Sequence, residues 1–311
     1  MTTEQNDVID TQLLEVTLTI KGWKGIKRSP KHEKAIRKAC GATRRVGHVD
    51  LYLVSASAIK SISTIAGAWR NRFLALTLPW SHSTRAVGVG QLKKLNNEHR
   101  HYRGLYTAAV DTFCDNWSGL VEEAKAELNG EFDPAHYPPV EEVRAKFTAE
   151  YDYFAVRRGE HINSSPLGAV IDLLEEAEER LDHRNRDRVV DAFNDFNQRI
   201  VKPITHFKDR MVTYGEAPNP KAGKSKRAKE TITVGKFHVD TIEKLRDLVE
   251  ILPGLNFYDD PRITEVLDDI RDKLTGTGSA EDYTQELRDD AALRAKKAKE
   301  ADAILDKMAA F

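Results

Sequence analysis

Val189-Val-Asp-Ala-Phe-Asn-Asp-Phe-Asn-Gln-Arg-Ile-Val-Lys-Pro-Ile-Thr-His-Phe-Lys-Asp-Arg-Met-Val-Thr-Tyr214 sets Val189, Phe193, Phe196, Ile200, Ile204, Phe207, Met211 and Tyr214 at steps of three and four residues. Those steps fall on one face of an α-helix, where i, i+3 and i+4 positions stack into a stripe. The stripe continues backwards through Leu181, Ala177, Leu174, Val170 and Leu167, and Ser165-Pro166 supplies an N-cap and a first helical residue. Pro203 is expected to kink or break this helix, because it has no amide hydrogen to give the interior ladder. Upstream, Leu92, Leu95, Tyr102, Leu105, Ala109, Phe113, Trp117, Leu120, Ala124 and Leu128 make a second stripe of about nine turns. The two long helices suggest an antiparallel coiled-coil hairpin.

Outward from these helices the pattern changes. Leu14, Val16, Leu18 and Ile20 alternate with Glu15, Thr17 and Thr19, which predicts a strand near residues 12–20. A basic, glycine-containing loop follows, then a short helix from Ser29-Pro30 to Cys40-Gly41 and a second strand within His48–Val54. Ile59, Ile62, Ile65, Trp69 and Phe73 predict a helix ending before Pro79, and Ala86–Val89 a brief strand. Gly130, Pro134, Pro138 and Pro139 mark a loop; Val140–Tyr151 reads as helix and Tyr153–Val156 as extended. Residues 215–230 hold no large apolar side chain and read as a flexible basic linker. Beyond it come a strand within Thr231–Val239, a helix over Asp240–Leu252, and a helix from Asp260-Pro261 to Leu274. A terminal helix opens at Ser279 with Asp282 three residues on, and its thin apolar stripe implies either packing only near Ile304, Leu305 and Met308 or a place on the surface. The expected class is α+β, predominantly α: a basic α+β module over 1–90, a helical hairpin with an inserted loop over 91–214, the linker over 215–230, and a helical region over 231–311.

Charge is segregated along the chain. The formal net charge is −1, yet residues 1–110 carry 18 Lys/Arg against 7 Asp/Glu while residues 111–203 carry 11 against 21. Such a split gives an electropositive module that attracts polyanions beside an acidic one that repels them or docks on the first. With 40% hydrophobic residues the chain has apolar surface enough for two cores. No apolar run is long enough to cross a bilayer and the first residues do not resemble a signal peptide, so the expectation is a cytoplasmic protein of a bacterial host cell with no membrane partner. Cys40 and Cys114 are too few for a disulfide framework or a thiolate zinc site and are read as reduced packing residues.

Catalytic motifs are incomplete. Gly223-Lys224-Ser225 has Pro218 where a phosphate-cradling loop needs glycine, Gly88-Val89-Gly90 lacks the third glycine of a dinucleotide site, and His32-Glu33 is followed by Ile36 where a second imidazole would stand. His82, His99 and His101 lack ligand spacing, since two residues apart on a helix point to opposite sides. No cofactor, metal or catalytic residue is assigned, and a non-enzymatic protein is expected. The basic module offers more. Trp23 lies among Lys21, Lys24, Lys27, Arg28 and Lys31; Arg44 and Arg45 are adjacent; Trp69 precedes Arg70 and Arg72; Trp80 precedes Arg85. Rings interleaved with cations are what a single-strand groove uses, bases stacking on the rings and phosphates tracking the cations. The candidate nucleic-acid-binding residues are therefore Trp23, as an exposed stacking ring, with Lys24, Lys27, Arg28, Arg44, Arg45, Arg70, Arg72 and Arg85. A structural alternative places Trp69 and Trp80 in the core.

Three stretches carry a resemblance: Leu14-Glu-Val-Thr-Leu-Thr-Ile-Lys-Gly-Trp23, the segment Val140–Val156, and Leu245-Arg-Asp-Leu-Val-Glu-Ile-Leu-Pro-Gly-Leu-Asn256. Together they resemble an uncharacterised family of bacteriophages and integrative conjugative elements, often encoded beside a MoxR-type AAA+ ATPase and a von Willebrand-A-type protein. The resemblance implies a mobile-element accessory protein acting near DNA replication or recombination, and it brings no site residues. Combined with the charge pattern, the expectation is a self-assembling protein that binds single-stranded DNA. The alternative is an adaptor or scaffold for the AAA+ ATPase, homo-oligomeric through its long helices and without nucleic-acid contact.

Overall fold

Sheet pairing and helix packing divide the chain in a way that local pattern does not. The computed structural model describes residues 13–44, 46–156, 171–219, 231–257 and 259–310. It is an α+β fold, predominantly α, with 67% of the described residues helical and a small antiparallel sheet. The sheet has four strands in the order β4 (Leu78–Pro79), β5 (Arg85–Gly88), β1 (Leu13–Lys21) and β6 (Thr148–Ala155). Two compact units interleave along the sequence: described residues within 16–75 and 93–153 form one, and those within 13–15, 76–92 and 154–310 form the other.

In the first unit, β1 leads through a loop to β2 (Ile26–Arg28), which pairs antiparallel with β3 (Asp50–Tyr52) in the register Ile26 with Tyr52 and Arg28 with Asp50. Between them runs α1 (Pro30–Ala39), started by Pro30 and followed by Gly41 at φ 63°, the left-handed residue that ends a helix. Ser29 does not cap it; its hydroxyl pairs with His32 Nδ1 at 2.6 Å. After β3 comes α2 (Ala56–Ala75), which buries Ile62, Ala66, Trp69 and Phe73, the stripe expected from spacing. The nine-turn helix is two: α3 (Val89–Asp115) and α4 (Trp117–Leu128), separated at Asn116. Short α5 (Val140–Arg144) ends early, and residues 148–151 join β6 instead of continuing as helix, a case of sheet pairing overriding local propensity. Tyr106, Val110, Phe113, Trp117 and Leu120 from α3 and α4 meet Ile62, Ala66 and Trp69 of α2 in one core.

The second unit is built on α6 (Ile171–Thr213), which runs through Pro203 without interruption. Burial of Ile200, Ile204 and Phe207 around the proline outweighs the ~3 kcal/mol that a proline costs inside a helix. Its main partner is α10 (Ala291–Ala309), so the helix packs with the chain's last helix inside this unit while α4 and most of α3 belong to the other. The terminal helix is thus packed along its length, with Ala298, Ala301, Ile304 and Met308 buried. Asp290 divides the expected terminal helix into α9 (Ala280–Asp289) and α10, accepting hydrogen bonds from the Ala292 and Leu293 amides. Residues 215–218 are not linker: β7 (Gly215–Pro218) pairs antiparallel with β8 (Thr231–Val234), while the rest of the expected linker, 220–230, lies outside the described residues. α7 (Val239–Ile251) and α8 (Pro261–Leu274) complete the core, the latter capped by Asp260, whose carboxylate accepts from the Arg262 amide at 2.9 Å. Cys114 is buried as expected, whereas Cys40 is exposed.

Candidate functional site

The end of β1 is fastened from two sides. Tyr106 Oη donates to the Lys21 carbonyl at 2.7 Å and Arg70 Nη2 donates to the Ile20 carbonyl at 2.7 Å, so α3 and α2 both hold the strand where it leaves the sheet. The chain then turns through Gly25 at φ 64°, and the Leu53 amide donates to the Gly25 carbonyl at 2.7 Å. A Cβ at Gly25 would stand 2.6 Å from Ile59 Cδ1 and 2.7 Å from Val54 Cγ2, so the position requires glycine for both conformation and space.

These constraints open a groove of about 630 Å³. Its floor is apolar, from Ile20, Ile62 and Ala66, and its walls carry Trp23, Tyr52, Ile59 and Phe147. Lys21, Lys24 and Arg70 also line it, and among the described residues no carboxylate does. Lys146 does not line the groove, but its Nζ stands over the Trp23 ring, 5.6 Å from the centroid. Burial holds the Tyr106 hydroxyl above its usual range, with Arg70 pulling the other way, so the phenol remains a donor to Lys21. An apolar floor under a rim of cations suits a ligand with a flat apolar part and a negative charge. Its volume is within the usual range of ligand pockets, about 300–1,000 Å³.

The candidate residues are scattered by this geometry. Trp23, Lys24 and Arg70 line the groove. Trp23 is not the exposed ring expected, since it packs edge-on against Trp117 at 5.5 Å and Phe113 at 6.3 Å; it serves as wall. Lys27 and Arg28 are exposed on β2, and Arg28 is held bidentately by Glu33 at 2.6 and 2.7 Å. Arg44 is exposed in the loop after α1, and Arg45 lies outside the described residues. Arg72 is engaged by Glu98 at 2.8 and 3.0 Å. Arg85 belongs to the other unit, where it donates to Thr77 Oγ1 and to the Thr77 carbonyl; burial, then Arg199, drives its pKa down to about 10. Arg72 and Arg85 therefore brace structure and do not line the groove. Trp69 and Trp80 are core rings, 2% and 3% exposed, and Trp80 Nε1 donates to Glu15.

Tyr52, 62% exposed, is the ring that the groove presents to solvent. Neither it nor Phe147 and Lys146 stands out in sequence, because no cationic cluster surrounds Tyr52 and the other two follow an unremarkable acidic helix. Among the described residues, no group of three or more His, Cys, Asp or Glu is placed to hold a metal ion, and no helix is long and apolar enough to cross a membrane. No family model, curated protein or solved structure matches this chain.

Proposed function

We propose that this protein binds single-stranded nucleic acid, DNA in the first instance, and does so without catalysing a reaction on it. The observation that carries the reading is the groove's lining: Lys21, Lys24 and Arg70 around an aromatic, apolar interior, with no carboxylate among the described residues that line it. A single strand offers the matching parts, unpaired bases for the rings and phosphates for the cations. Tyr52 takes the stacking role, and Trp23 shapes the wall behind it. A duplex fits less well, because its bases are already stacked and paired and their faces are closed to Tyr52. An accessory role in replication or recombination of a mobile element agrees with this reading.

The test is fluorescence anisotropy with a labelled oligo(dT) and, separately, a labelled duplex of equal length. The reading expects saturable binding of the single strand, weaker binding of the duplex, and loss of single-strand binding in Lys24→Gln/Tyr52→Ala. Equal affinity for both forms, or an unaffected double variant, overturns it.

A further inference from the structure

A second cationic pocket adjoins β2 at Arg28. It holds about 350 Å³ and is lined by Arg28, Glu33, Lys34 and Arg37, with Val46 and Gly47 across from the helix. The one carboxylate among its described lining residues is already taken. Glu33 receives Arg28 at 2.6 and 2.7 Å, stands 3.5 Å from His48 Nδ1, and accepts the Val49 amide at 3.4 Å. The hydrogen bonds from Arg28 hold the Glu33 carboxyl below its usual range, so it stays ionised and cancels Arg28. Lys34 and Arg37 are left. Three residues apart on α1 they are neighbours on one face, both are exposed, and neither makes an ion pair with a described residue.

We infer that this pocket is a second phosphate-binding site on the same bound strand, with Lys34 and Arg37 each meeting a phosphate that lies beyond the groove. The inference rests on the single-strand reading of the groove. Lys24 at the groove and Arg28 at the pocket are four residues apart in sequence, a span of at most about 14 Å for extended chain. At a stacked rise of about 3.4 Å per nucleotide that is roughly four nucleotide steps, fewer where the strand is stretched. The strand would cross the β2–β3 ribbon, where exposed Lys27 lies on the way. A very short oligonucleotide fills the groove alone; a longer one reaches both.

The experiment compares the intact protein with Lys34→Gln/Arg37→Gln, and with Lys38→Gln as a control on the same helix outside the pocket, using labelled oligo(dT). One strand is about three nucleotides long and the other about twelve, inside the range that such sites cover. Circular dichroism verifies that α1 is retained, which glutamine favours. For the longer strand the log–log salt slope of the double variant should be shallower by about 1.4, from about 0.7 for each phosphate that is no longer neutralised. The short strand should bind both proteins alike, and Lys38→Gln should keep the parent slope. A parent protein that binds both lengths while the double variant keeps the parent slope overturns the second site and leaves the groove standing. A parent protein that binds neither length removes the groove reading and this inference with it. Equal reductions in slope for Lys38→Gln and the double variant, taken per charge, contradict a pocket and indicate a diffuse basic helix.

Discussion

Replacing Gly25 by alanine probes whether the groove depends on one tightly enclosed left-handed turn. The backbone there has φ 64°, and the added methyl would lie 2.6 Å from Ile59 Cδ1 and 2.7 Å from Val54 Cγ2. A side chain in left-handed backbone costs about 1–2 kcal/mol, and overfilling a packed site adds about 1–3 kcal/mol. Gly41 provides the reference, since it has φ 63° but no atom within 4 Å of the place its methyl would take, so Gly41→Ala carries only the conformational cost. The difference between the variants is then the packing cost alone, about 1–3 kcal/mol. Urea titration followed by tryptophan fluorescence reads it well, because Trp23 lies 5.5 Å from Trp117 and both report on this core. With a slope near 2 kcal/mol per molar, the two midpoints should separate by about 0.5–1.5 M, Gly25→Ala the lower. Coincident midpoints would mean that Ile59 and Val54 do not close over the turn.

Tyr52→Ala should leave the unfolding midpoint nearly unchanged, since the ring is 62% exposed, and should weaken single-strand binding by about 1–3 kcal/mol, the usual worth of one base stacked on a ring; anisotropy titrations at one salt concentration measure the loss. Arg85→Ala should do the reverse, costing about 1–3 kcal/mol of stability by removing the donors to Thr77 while oligonucleotide affinity stays at the parent value. His99 gives a pH prediction. Its ring lies 4.3 Å from that of Tyr151 and 5.2 Å from that of Trp69, its Nδ1 is buried with no hydrogen-bond partner among the described residues, and burial, then Arg103 and Arg100, hold its pKa below the usual value of 6.5. The unfolded chain therefore takes up a proton at this residue before the folded one, and the stability tied to the neutral ring is present above pH 6.5 and lost as pH falls through the folded pKa. His99→Phe removes that part of the acid-side loss, so the gap between variant and parent in urea midpoint should widen in the variant's favour on acidification; a constant gap between about pH 7.5 and 5.5 contradicts it.

The parts of the fold that were legible in sequence are those decided by near neighbours. Phe196, Ile200, Ile204, Phe207 and Met211 recur at helical spacing and are all buried on α6. Asp260 before Pro261 and Ser279 before Asp282 start their helices as the cap chemistry dictates, with Ser279 Oγ accepting the Asp282 amide at 3.0 Å. Ala298 and Ala301 could not announce a packed face, because alanine is equally at home on a helix surface and against another helix. The partner of α6 is set by that face, so a hairpin with the earlier long stripe was the natural local inference. Trp23 shows the same limit from the other direction. Its glycine and lysine neighbours give it nothing to pack on, and the rings that half-bury it, Phe113 and Trp117, lie some ninety residues away in sequence. The groove was legible only in part: Lys24 and Arg70 declared themselves by charge, but Tyr52 and Phe147 meet them through the register of β2 with β3 and the early end of α5, both tertiary facts. Conversely, charge alone could not separate Arg70 from Arg72, two residues apart, of which one lines the groove and the other is engaged by Glu98.

Salt dependence of single-strand affinity tests the groove most directly. Three lining cations, Lys21, Lys24 and Arg70, should give a log–log slope of about −2 with oligo(dT), approaching −3.5 if Lys34 and Arg37 also meet phosphates, at about 0.7 per phosphate neutralised. A strand that fails to bind at low salt, or one whose affinity is unchanged as salt rises, contradicts the account.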